Sequence, residues 1–75
     1  MIIKILSDEI SIASPNTVSN ASLVRVINTG ASANLVVSGV GNVTVTNTES
    51  IIVQKLPTAT LTGANMRAVP IAFKA

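Results

Sequence analysis

The chain has 75 residues, with no cysteine, histidine, tryptophan or tyrosine, and its one aromatic residue is Phe73. Charged residues make up 11% and hydrophobic residues 48%, for a formal net charge of +2. Residues 1–75 therefore read as one small domain with no disulfide and no Cys/His metal site; a domain this size buries only about 60% of its unfolded surface, so assembly is expected to supply the rest.

The chain opens Met1-Ile2-Ile3-Lys4-Ile5-Leu6. A secretory apolar region takes about 7–15 residues behind a positive segment. This run is shorter and holds its lysine inside, so it predicts a first strand rather than a leader. Ile2, Ile3 and Ile5 suit either the core or an exposed strand that adds to a partner's sheet edge. In Glu9-Ile10-Ser11-Ile12-Ala13-Ser14 the isoleucines fall on one face and Ser11 on the other, a second strand. Ser14-Pro15-Asn16-Thr17 ends it as a turn.

Leu23-Val24-Arg25-Val26-Ile27-Asn28 is apolar on both faces except at Arg25. Such a strand is expected to be covered twice, by a second sheet and by a loop or neighbouring subunit. Arg25 reads either as a solvent-facing position or as an inter-subunit contact, since arginine is enriched at interfaces. Asn28-Thr29-Gly30-Ala31-Ser32 is a turn expected to use positive φ at Gly30. Leu35–Ser38 and Val43–Thr46 form a hairpin around Gly39-Val40-Gly41-Asn42, with valines in and threonines out. Asn47–Ser50 is a corner before the two-sided Ile51–Lys55 strand. Leu56–Thr60 leads to a short crossing, and Gly63-Ala64-Asn65 turns into a last strand, Arg67–Lys74. Pro70 cannot donate to a ladder, so that strand is expected at an edge or with a bulge. Arg67 carries the same ambiguity as Arg25.

The sum is all-β: a small single-domain β-sandwich or barrel of about seven short antiparallel strands. Asn20-Ala21-Ser22 and Asn42-Val43-Thr44 match the glycosylation sequon but read as ordinary turns.

Site chemistry is sparse. Lys4, Arg25, Lys55, Arg67 and Lys74 are scattered rather than clustered, which argues against nucleic acid. No stretch reaches the roughly 18–20 apolar residues of a membrane span. Asp8 and Glu9 are adjacent and Glu49 is alone, so no carboxylate pair is set up for acid–base work. No serine or threonine has a base at a recognisable spacing, and Gly39-x-Gly41 precedes a strand rather than a helix. No catalytic residue, metal ligand or cofactor is expected.

The string Leu6-Ser7-Asp8-Glu9-Ile10-Ser11-Ile12-Ala13-Ser14-Pro15-Asn16-Thr17-Val18, followed by Leu23–Thr29, resembles small virion proteins of tailed bacteriophages, marine cyanophage-like ones in particular. Glu49–Leu61 and Arg67–Lys74 are similar to the closing half of the same type. The resemblance implies a β-rich structural protein, a capsid decoration or cement protein, with no catalytic residues to carry over. It implies location on the virion after synthesis in the host cytoplasm, with the major capsid protein or other virion proteins as partners.

Sparse charge and short strands agree with a non-enzymatic homo-oligomer. Its expected partner surface involves Ile2, Ile3, Ile5, Arg25 and Arg67. A tail, neck or fibre component is the alternative within that class. A carbohydrate-binding β-sandwich is the alternative outside it, with Phe73 as the single ring available to stack on a sugar.

Overall fold

A computed structural model describes residues 2–74, with the side chains of Ile2, Phe73 and Lys74 outside the description. The β-branched runs form eight strands: β1 (Ile2–Ile5), β2 (Ile10–Ser11), β3 (Leu23–Asn28), β4 (Ala33–Val37), β5 (Gly41–Val45), β6 (Ser50–Gln54), β7 (Leu61–Gly63) and β8 (Met66–Lys74). All pairings are antiparallel, and no helix occurs among the described residues. The strand beyond the expected seven is β7, whose three residues sit where the sequence suggested only a crossing.

One sheet runs β1-β8-β3-β6, with β2 following β1 along the same edge of β8. The other runs β5-β4-β7. The shortest extent of the molecule is 19 Å, room for two sheets about 10 Å apart and no third layer. Between them lie Ile12, Val18, Val24, Val26, Leu35, Val45, Leu61, Met66 and Ala68, all essentially without solvent contact. Burying each of the larger aliphatic side chains stabilises the fold by roughly 1.5–3 kcal/mol, which is why strand alternation dictates which face turns inward.

The sandwich is closed on one side. Ile12 accepts from Gly63 N–H at 2.8 Å in one sheet and donates to Met66 C=O at 3.1 Å in the other. The chain then bridges Asn16 to Leu61. On the opposite side β5 and β6 are terminal strands of their sheets.

Pro70 does not lie on an edge strand, contrary to one expectation: β8 is flanked by β1 and β2 on one side and β3 on the other. Facing β3, Pro70 opposes Val24 at a position where the ladder asks for no N–H. Its nitrogen faces the other edge, where its carbonyl accepts from Leu6 N–H at 3.0 Å. The missing donor is accommodated there by the neighbour. Between Leu6, which is bonded to Pro70, and the pair Ile10–Ala68, the chain loops out through Ser7–Glu9.

Gly30 also departs from expectation. Its φ is not positive. Glycine is needed because a Cβ would stand 2.7 Å from the Asn65 side-chain carboxamide carbon. Positive φ belongs instead to Gly39, at 75°, in a hairpin loop of Ser38-Gly39-Val40, shorter than expected. Val43 differs as well: it shares the inward side with Val45, yet remains exposed, because the first sheet does not reach over the hairpin tip.

Buried Asn28 ties the layers together. Its Nδ2 donates to Val45 C=O at 2.7 Å and to Ala31 C=O at 3.0 Å, while Oδ1 accepts from Gly30 N–H at 2.9 Å. Every polar atom of the side chain is satisfied, as burial requires.

Candidate partner-binding face

Alternation along β3 turns Val24 and Val26 inward and Arg25 outward. Register then fixes the outer face of the larger sheet. Arg25 opposes Val69 on β8 and Ile52 on β6, and Ile71 opposes Ile5 on β1. Among the described residues no further layer covers this face. It holds a groove of about 400 Å³ lined by Ile3, Ile5, Ser7, Asp8, Glu9, Arg25, Val69 and Ile71.

The groove has a buried floor and an exposed wall. Val69 and Ile71 are only 5% and 2% exposed, whereas Ile3 and Ile5 are 40% and 67% exposed. β1 is the terminal strand, so the wall is also an open sheet edge. The remaining wall is the Ser7–Glu9 excursion forced by Pro70. Arg67 holds that segment in place, its Nε donating to Glu9 Oε1 at 2.7 Å. Both side chains of this pair are well solvated, so the contact positions the loop more than it stabilises the fold.

Three of the residues expected at a partner surface, Ile3, Ile5 and Arg25, line this one groove. Arg67 stands beside it, joined to Glu9. The side chain of Ile2 lies outside the described residues, as does that of Phe73, the candidate sugar-stacking ring. The Arg25 guanidinium has no hydrogen bond or ion pair among the described residues. It lies half-buried next to Ile52 and Val69, with Asp8 and Glu9 across the groove. An apolar floor with one cation and two carboxylates at its rim suits a protein surface better than a reactive small molecule.

Sequence reasoning missed the floor, because Val69 and Ile71 appeared only as part of the last strand, with no sign of which face they occupy. It also took Asp8 and Glu9 only as adjacent carboxylates unsuited to acid–base work. Their role depends on the excursion, and the signal for that was Pro70, more than fifty residues away in the chain.

Lys55 was missed too. It is 7% exposed, and its Nζ donates to Ala21 C=O at 2.6 Å and to Leu56 and Pro57 C=O at 3.3 Å each. Burial lowers its pKa from the ordinary lysine value, and no carboxylate pairs with it among the described residues. Glu49 accepts from Thr46 N–H at 2.9 Å and staples the β5–β6 corner. A second shallow apolar cleft, about 310 Å³, lies at the β4–β5 hairpin among Leu35, Val37, Val40 and Val43.

No group of three His, Cys, Asp or Glu residues able to hold a metal occurs among the described residues. Comparison with protein-family models, curated proteins and solved structures finds no match to this chain.

Proposed function

We propose that this chain is a non-enzymatic structural protein of a virion, a decoration or cement module that seats on the capsid surface through the outer face of its larger sheet. The observation that carries this reading is the uncovered groove whose wall is an exposed, isoleucine-bearing edge strand. Exposed apolar surface of this kind, rimmed by polar groups, marks interaction sites. Edge strand and groove together offer a partner both main-chain pairing and side-chain pockets. The resemblance to small phage virion proteins supports the same class, with the major capsid protein as the partner.

The experiment is peptide mapping of purified intact particles, paired with rebinding of the protein to stripped capsids. The reading expects the chain in intact heads and a rebinding affinity lowered about tenfold by Ile5→Lys, a loss of ordinary size for an interface anchor. Detection only in infected-cell lysate, or only in tails, overturns it.

A further inference from the structure

Among the described residues, the strands of four or more residues that have a single strand partner are β1, β5 and β6. Open edges invite association, and proteins commonly protect them with charge, above all lysine. β1 carries Lys4, which a dyad pairing of Ile3 with Ile5 would place against the Lys4 of a second copy. β5 opens with Gly41 and Asn42, both depleted in strands, which leaves only Val43–Val45 as a strongly strand-forming run. β6 differs from both. Ser50-Ile51-Ile52-Val53-Gln54 has no charge, no proline and no glycine, and its centre is β-branched.

The ladder fixes which groups are free. Asn28 N–H donates to Glu49 C=O, and Lys55 N–H donates to Ser22 C=O. Alternation along an antiparallel pair then points Glu49, Ile51, Val53 and Lys55 toward β3. The N–H and C=O groups of Ser50, Ile52 and Gln54 point outward to the open edge.

We infer that β6 pairs antiparallel with β6 of a second copy about a two-fold axis through Ile52. Each Ser50 then exchanges main-chain bonds with Gln54 of the other copy, and Ile52 with Ile52. The same register sets Ile51 opposite Val53. At both ends it sets Glu49 opposite Lys55 of the second copy. Only this register pairs all three outward residues, Ser50, Ile52 and Gln54, within the strand; shifting it by two residues leaves one of them on each copy without a strand partner. The outer faces of the two larger sheets become continuous, with Ile52, 44% exposed alone, covered at the seam. The strand edge, not the groove, is the dimer contact, and it leaves β1 free for the capsid.

This dimer deepens the oligomer expected of a virion module, but its test uses the purified chain without capsids, so it fails or succeeds separately from the proposed function. Sedimentation of the wild-type protein should show a dimer that dissociates on dilution. Ile52→Lys, an outward position, should retain the β circular dichroism spectrum and raise the dissociation constant about tenfold or more, as like charges meet across the axis. The chain has no cysteine, so Ile52→Cys provides a clean register probe. Directly opposed residues in such a pair stand about 5.5 Å apart at Cα, within disulfide reach. Mild oxidation should cross-link Ile52→Cys and not Ile3→Cys. A monomer at millimolar concentration overturns the inference. So does a dimer cross-linked through position 3 instead of 52, or one whose affinity Ile52→Lys leaves unchanged.

Discussion

Gly30 shows how one residue can be required for space rather than conformation. The Asn65 side chain occupies the position where a Cβ would go, and Asn65 itself has φ 59° while its carbonyl accepts from Thr29 N–H at 2.8 Å. Two turns therefore interlock. Gly30→Ala should cost about 1–3 kcal/mol, the range for overpacking a tight site. In an Asn65→Gly background the cost should fall close to zero, since glycine both clears the space and accepts the positive φ. Urea denaturation of the four proteins in that cycle checks it, and a purely additive result would show no clash. Lys55 supports a prediction in pH. Burial penalises its charged form, so the folded pKa lies below the ordinary 10.5. The unfolded chain then holds the proton more tightly, and stability rises with pH from the lowered folded value up to 10.5, where the effect levels off. Denaturation midpoints for the dilute monomer should climb as the pH rises toward 10.5, relative to a Lys55→Met variant under the same conditions. An unchanged difference would mean that the ammonium is not desolvated.

At the scale of an element, the segment joining β2 to β3 holds the most unusual backbone. Val18, Ser19 and Asn20 have φ of 54°, 59° and 54°, three successive left-handed residues. Asn16 Oδ1 accepts from Val18 N–H at 2.7 Å and begins the turn, and Ala21 N–H donates to Val18 C=O at 3.2 Å and closes it. Left-handed geometry costs roughly 1–2 kcal/mol for a residue with a Cβ. Val18 offsets its share by filling the core, with no exposure at all. Ser19 is exposed and has no such compensation. Ser19→Gly should therefore raise the free energy of unfolding by up to about 1 kcal/mol, the strain relieved less the entropy glycine adds to the unfolded chain. Thermal denaturation of the variant decides it, and a lower midpoint would refute the strained turn. A turn near Asn20 was legible in the sequence, but the left-handed run starting at Val18 was not, since Val18 carries no turn signal. Proline and asparagine pointed to a turn at Ser14–Thr17, but the chain bends at Ala13–Ser14, bridges Asn16 to Leu61 and turns only at Val18–Asn20.

For the whole molecule, strand content and the two-layer plan were legible because alternation reports directly on which residues face the core. Val24-Arg25-Val26 and Ile10-Ser11-Ile12 show this plainly. Partition of strands between sheets was not, since it depends on Ile12 bonding to both Met66 and Gly63. Arg25 and the isoleucines of β1 could be named from the sequence as surface candidates, but their gathering around one groove follows from the register of β1 and β3 on β8. Pro70 is the instructive case. The local rule about its missing donor was right, and the remedy lay in the strand beside it.

The placement of β8 also constrains synthesis. It is the hub of the larger sheet, yet it follows in the chain every strand that it joins. Of that sheet only the β3–β6 pair can form ahead of it, and β1 and β2 have no edge to join until residues 66–74 emerge from the ribosome. Until then their isoleucines have no strand to pair with. Distant pairings of this kind are slow to close and vulnerable to aggregation while they wait. Folding is thus held back until the hub arrives, and Lys4, placed in the strand that waits longest, gives that exposed apolar segment a charge to discourage association with neighbouring nascent chains.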